Sequence, residues 1–245
     1  MKAIILAAGI GKRLGPTSEN KPKCLLQFGG ESLLQRHLHS LTRYSISEIA
    51  IVYGYQKHLI DTEISQFASK IPLTTIYNPD YTMGSVVSLA CAINFLNSGT
   101  EVILMDADVL YDPRILQRLI QSEHGNCFLL DREFEPGDEP VKLCIRNGEI
   151  IEFRKQIDRE LEFDKQGESV GFFRFTPDIA GKLGNRAQAY IDYNRRNEPY
   201  EEVIRDLLLS EPHAFAFEDI TGLPWIEIDF PEDLERANRL LTNIN

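Results

Sequence analysis

Residues 2–25, KAIILAAGIGKRLGPTSENKPKCL, constrain this chain more than any other stretch. Residues 2–6 are a short apolar run rich in β-branched side chains, which reads as a buried parallel strand. Ala7, Ala8, Gly9 and Gly11 follow with almost no side-chain volume, so the backbone can approach a flat base or a phosphate and donate its N–H groups. The loop then turns cationic at Lys12, Arg13, Lys21 and Lys23, while Pro16 and Pro22 fix the backbone and oppose helix. Two common nucleotide templates fail here. The dinucleotide fingerprint G-x-G-x-x-G finds Leu14 where its third glycine belongs, and no acidic residue closes the second strand near Tyr53 and Gly54. The phosphate-loop template fails as well, since no Gly-Lys-Ser/Thr follows the glycines.

Downstream, strand-like apolar runs alternate with helical patterns, the mark of a parallel α/β sheet. The pattern predicts strands at 49–53, 73–77 and 102–105. Helices are expected over 33–41 with Ser32 as cap, through about residue 67, and over 85–96. After about residue 126 the character changes, with strands expected at 128–130, 141–145, 150–153 and 170–175 and a hairpin turn at Arg146-Asn147-Gly148-Glu149. Residues 132–139 and 158–167 read as polar, acidic loops near a site, and 179–209 as helix with a charged interruption at 194–201. A strand at 225–228, Asp229 and a helix opened by Pro231 close the chain.

Asp106-Ala107-Asp108 ends a strand, so its two carboxylates point to opposite faces. Carboxylates at a strand end suit Mg²⁺ held jointly with substrate phosphates, or they cap the Asp112-Pro113 turn. Asp229 is open to the same two readings, ligand or helix cap. Gly84 and Ser85 precede a helix whose free N–H groups form a second wall for a base, or an ordinary helix start. The histidines, His37 among them, show no ligand spacing, and His37 falls on an apolar helical stripe as a core-edge residue.

The net charge of −11 over 245 residues argues against nucleic acid or an anionic membrane as partner. Cys24, Cys91, Cys127 and Cys144 form no C-x-x-C pair, so reduced thiols and a cytoplasmic location are expected. The N-terminal apolar run is too short for a signal peptide, and no run approaches a membrane span. The residues leave oligomeric state open.

Leu6-Ala7-Ala8-Gly9, Gly11, Arg13-Leu14, Pro16, then Pro22-Lys23 and Leu25 resemble the L-A-A-G-x-G-x-R-L-x-P, P-K-x-L signature of the nucleotidyltransferases that make nucleotide-sugars and related activated alcohols. The departure is Thr17-Ser18, where relatives usually carry Leu-Thr. Residues 225–234 likewise resemble the closing W-x-[DE]-[IV]-D-x-x-E-D-L element of the branch that activates phospho-alcohols with CTP. The resemblance implies a Rossmann-like, mixed and mostly parallel sheet flanked by helices, of the nucleotide-diphospho-sugar transferase type, with a small acceptor-side β lobe. A single domain over 1–245 is expected, residues 1–125 mainly on the nucleotide side and 126–245 mainly on the acceptor side.

The resemblance further implies Arg13 and Lys23 as catalytic cations and Leu6, Ala7, Ala8, Gly9, Gly11, Gly84, Ser85 and Asp106 around the nucleotide, Asp106 nearer the ribose. Asp108 and Asp229 would hold Mg²⁺, and Lys142, Lys155, Glu168, Tyr200, Glu201 and Glu202 would lie toward the acceptor. The implied reaction moves CMP from CTP to a small phosphorylated alcohol or phosphonate and releases pyrophosphate. A sugar-1-phosphate uridylyl- or thymidylyltransferase is the alternative within the fold, and a non-catalytic nucleotide-binding regulatory subunit the alternative outside it.

Overall fold

The computed structural model describes residues 1–18, 21–242 and 244, with Pro16, Thr17 and Ser18 described through their backbone alone, so the Thr17-Ser18 departure lies outside the described side chains. Strand β1 (Lys2–Ala7) leads through two 3₁₀ turns, Lys12–Ser18 and Lys23–Leu25, into the short hairpin β2 (Gln27–Phe28) and β3 (Glu31–Ser32) and helix α1 (Leu33–Leu41). Next come β4 (Ile49–Tyr53), α2 (Lys57–Gln66), β5 (Leu73–Tyr77), α3 (Ser85–Cys91), α4 (Ile93–Leu96), β6 (Val102–Asp106), β7 (Val109–Tyr111) and α5 (Pro113–Gln121). The second half runs β8 (Cys127–Asp131), β9 (Lys142–Arg146), β10 (Glu149–Arg154), β11 (Lys165–Phe175), α6 (Pro177–Asp192) and α7 (Tyr200–Ser210). It closes with β12 (Ala216–Asp219), β13 (Trp225–Glu227) and α8 (Pro231–Leu241).

β1 lies at the centre of the parallel part of a nine-stranded sheet, paired with β4 on one side and β6 on the other, with β5 beyond β4. Both faces are covered over β1, β4 and β6, which is why these three read as near-continuous apolar runs, whereas the edge strand β5 carries Thr74 and Thr75. Ile4 and Leu104 enter the core under α3, α4, α6 and α7, while Ala3, Ile5, Ile103 and Met105 enter the core under α1 and α5. The mixed, mostly parallel sheet flanked by helices is the architecture expected from the sequence.

β11 joins the two halves. Its first residues pair antiparallel with β9, its last with β6, and β8 runs beside positions 168–174. Its register shifts between Ser169 and Phe173, around Gly171 at φ +77°. A cleft opens there, at the carboxyl ends of β1 and β6, where ligands sit in open α/β sheets.

Several local expectations are revised. The segment 158–167 is not all loop, because β11 begins at Lys165 and pairs with β9. Residues 113–121, for which the sequence suggested nothing beyond an Asp112-Pro113 turn, form α5, opened by the Asp112 cap and Pro113. The helical pattern over 85–96 breaks at Ala92, and 179–209 divides into α6 and α7. The β9–β10 turn carries Asn147 and Gly148 at positive φ, as an Asn-Gly hairpin requires. Among the described residues no helix is long and apolar enough to cross a membrane, and the four cysteines are free.

Candidate active site

The glycine loop is shaped by the residue it faces. Gly11 sits at φ +68°, and a Cβ there would lie 2.9 Å from Cγ of Lys23. Its missing side chain therefore lets the lysine run past the loop into the cleft. Lys23 Nζ donates to Asp108 Oδ2 at 2.9 Å and to Asp229 Oδ1 at 2.5 Å. Burial works to lower its pKa, but the two carboxylates outweigh it and hold the ammonium above the usual lysine range. Arg13 Nη1 donates to Asp229 Oδ2 at 3.0 Å and to Glu139 Oε2 at 2.9 Å.

Asp108 and Asp229 are far apart in sequence and meet through a two-stranded ribbon. β13 pairs antiparallel with β7, setting Glu227 opposite Val109, and Ile228 N donates to the Asp108 carbonyl at 2.9 Å. Asp233 then takes the Asp229 and Phe230 amides on its Oδ2 at 3.0 and 2.7 Å, which fixes the turn into α8. Asp108, Glu227 and Asp229 thereby offer three carboxylate oxygens within 4.8 Å of one another. Glu227 was not singled out from the sequence, although the alternation Trp225, Glu227, Asp229 places it on the same face as Asp229. It lines the open cleft, yet protein packing around it and the charges of Asp108 and Asp229 push its carboxyl up to about 8.

Asp106 and Asp108 diverge, as expected at a strand end. Asp106 Oδ2 accepts from the Tyr200 hydroxyl at 2.6 Å, beneath Gly171. Burial and the charge of Asp108 push Asp106 well above the carboxylate range, while burial and Asp106 push the Tyr200 hydroxyl up. Behind them His37 is fully buried rather than at the core edge, stacked on Tyr111 at 5.4 Å with neither ring nitrogen partnered. Burial depresses it to about 4.

A cavity of about 330 Å³ lies between the loop Gly9, Gly11, Arg13 and the turn Tyr81, Thr82, Met83, with Lys23, Asp108 and Asp229 at its end. Leu6 pairs with Asp106 near the end of β1, and Ala7 and Ala8 are buried beneath the loop, so these three support the cavity while Gly9 and Gly11 line it. Gly84 and Ser85 sit differently from the expectation. The Gly84 and Val86 amides donate to the Arg196 and Glu198 carbonyls, and Ser85 Oγ accepts the Tyr200 amide at 2.8 Å. A Cβ on Gly84 would lie 2.2 Å from the Glu198 carbonyl oxygen, so its close approach serves the 195–199 turn rather than a ligand. The residues opposite the glycine loop are Tyr81 to Met83, whose position was not legible as a motif.

On the other side lie two cavities. One, of about 450 Å³, brings Glu168, Asp131 and Trp225 together with Glu227 and Asp229. Burial and the charge of Asp131 push the half-buried Glu168 up to about 7. The second, of about 560 Å³, gathers Lys155, Glu201 and Glu202. Glu201 Oε2 is buried without a partner, whereas Glu202 is held by Arg154 at 2.8 and 3.2 Å. Lys142 stands apart from the other expected acceptor-side residues. Its ammonium is taken by the carbonyls of Gly137, Pro140 and Lys155, so it fastens backbone together.

The family model described as MobA-like NTP transferase domain matches residues 3–161. The chain is 27% identical to the CTP:phosphoglutamine cytidylyltransferase of Campylobacter jejuni, over 96% of this chain and 98% of that one. It is 26% identical to the CMP-5'-(3-aminopropyl)phosphonate synthase of Streptomyces rubellomurinus over 97% of this chain, but spans only 38% of that protein's length. The solved structure of the inositol-1-phosphate CTP transferase from T. maritima superposes with a TM-score of 0.77 at 18% identity, covering 99% of this chain and 95% of that one, a likeness of fold.

Proposed function

Because the chain belongs to the family of MobA-like NTP transferase domains, we propose that it transfers CMP from CTP to a small phosphorylated alcohol or phosphonate with Mg²⁺, releasing pyrophosphate. One observation carries this reading. Arg13 and Lys23 converge with Asp108, Glu227 and Asp229 at one end of the nucleotide-sized cavity, where a polyphosphate and a second anion would meet. The CTP and phospho-alcohol preference is supported by the relatives named above.

The acidic residues fit Mg²⁺. Their donors are hard oxygens, and the Lys23 ammonium already rests on two of them, so the group accommodates a cation. Asp108 and Asp229 would hold the ion, with Glu227 beside them, and when bound it supplies charge neutralisation for the phosphates. The remaining work falls to the chain. An acceptor phosphate oxygen attacks the α-phosphorus of CTP, the bond to the bridging oxygen breaks, and pyrophosphate departs with its electron pair. Two unit charges about 4 Å apart repel by about 4 kcal/mol at an effective dielectric near 20, so positioning the two anions needs fixed cations. Arg13 binds the β- and γ-phosphates that leave, and Lys23 holds the α-phosphate and the incoming oxygen. No general base is required, because the acceptor is already ionised.

In this reading the chain is one domain, residues 1–125 mainly serving the nucleotide and 126–245 mainly the acceptor, and it works in the cytoplasm. Lys155, Glu168, Tyr200 and Glu201 face the acceptor side. The test is pyrophosphate release with Mg²⁺, crossing CTP, UTP and dTTP against phosphocholine, inositol phosphate, aminoalkylphosphonates and sugar-1-phosphates. Turnover with CTP and a phospho-alcohol or phosphonate is expected. Turnover only with UTP or dTTP and a sugar phosphate, or binding without turnover throughout, overturns it.

A further inference from the structure

We infer that residues 132–141 form a strap across the mouth of the site, held shut by the Glu139 carboxylate standing where a nucleotide polyphosphate binds Arg13, so that the incoming triphosphate must displace it. The inference rests on the nucleotidyltransferase reading and adds regulation of the same site.

The segment links β8 to β9 and carries no helix or strand of its own. Its ends are well fixed. Arg132 pairs with Asp219 at 2.8 Å, and Lys142 holds the Gly137 and Pro140 carbonyls. Between them two glutamates tie the acidic stretch down through three exposed ion pairs. Glu139 Oε2 accepts from Arg13 at 2.9 Å and from Lys155 at 3.1 Å, and Glu135 Oε1 accepts from Arg236 at 3.1 Å. Arg13 and Glu139 are each close to half exposed, so this contact is weak and screened by salt. Glu139 shares the Arg13 guanidinium with Asp229, a residue of the site itself, so the one strap carboxylate is what a triphosphate, with several charges, displaces there. Exchange is therefore downhill once nucleotide arrives. The same oxygen restrains Lys155 on the acceptor side, so nucleotide entry also releases that ammonium.

Trp225 is the only tryptophan, and it lines the same cavity as Phe134 and Pro136 of the strap. Its quenching by acrylamide reports whether the strap is open. The probe is inorganic tripolyphosphate, which has no base to quench the indole, with CTP binding measured by calorimetry alongside. In the native protein tripolyphosphate raises Trp225 quenching. Glu139→Gln starts at the raised level and binds both ligands roughly two- to fivefold more tightly at low salt, a gap that closes near 1 M NaCl. Glu135→Gln, which touches neither Arg13 nor Lys155, also raises quenching. Binding that is equal in native protein and Glu139→Gln, or quenching unchanged by tripolyphosphate and by both substitutions, overturns the strap and leaves the nucleotidyltransferase reading standing. Failure of CTP and tripolyphosphate to bind either protein brings down both.

Discussion

A Cβ on Gly171 would lie 2.3 Å from Oδ2 of Asp106, the oxygen that accepts the Tyr200 hydroxyl at 2.6 Å. The backbone is at φ +77° there, so two independent reasons exclude a side chain. Gly171→Ala is expected to cost about 1–3 kcal/mol in chemical denaturation. It also weakens CTP binding, because Asp106 and Tyr200 must part. Native stability with native CTP affinity would remove Gly171 from this role.

Lys23 carries the largest expected catalytic effect. Lys23→Ala lowers kcat by about 10²–10³-fold, the range found when one fixed charge-stabilising donor is removed. The far-ultraviolet circular dichroism stays native, since the lysine lies in the cleft. Turnover within tenfold of the native protein would contradict the assignment.

Glu168 makes stability depend on pH. Its carboxyl is held at about 7 by burial and Asp131, against an ordinary value of 4.5. Its stabilising contribution is complete below the unfolded value and is lost as pH rises through the folded one. Between pH 4.5 and pH 8 the native protein should therefore lose up to about 3 kcal/mol relative to Glu168→Gln, measured by urea unfolding at each pH. Parallel pH profiles for the two proteins would refute this.

Metal dependence is expected to run through Glu227 as well as the two aspartates. Chelation with EDTA abolishes pyrophosphate release, and added Mg²⁺ restores it. Glu227→Gln raises the Mg²⁺ concentration for half-maximal activity by about 10-fold or more, in the range seen when metal-site partners are lost. Activity that survives EDTA would argue against a metal requirement.

The parts of the site that were legible in the sequence are those where chemistry and spacing coincide locally. Gly9, Gly11, Arg13 and Lys23 lie within one short stretch, and Asp106 and Asp108 at one strand end, so the passage of Lys23 past Gly11 and the separation of the two aspartates follow from local geometry. Glu227 was readable from the two-residue period that it shares with Trp225 and Asp229. Gly84 shows the opposite case. A glycine before a helix suggests close approach, but only tertiary structure shows that the approaching group is the Glu198 carbonyl. Helix α5 was written in Asp112, Pro113 and the spacing of Ile115, Leu116 and Leu119. β12 could not be found at all, because each of its residues is half-buried and its pairing with β8 is non-local.

The ribbon of β7 and β13 gives the protein a timetable. During synthesis the glycine loop, Lys23 and Asp108 leave the ribosome early, whereas the strand that delivers Glu227 and Asp229 emerges more than a hundred residues after β7. Until then the nascent chain presents Lys23 and Asp108 without the carboxylates of Glu227 and Asp229. A product cut short before β13 would hold the nucleotide loop yet lack two of the three clustered acids, so activity doubles as a check that translation has reached the end of the ribbon.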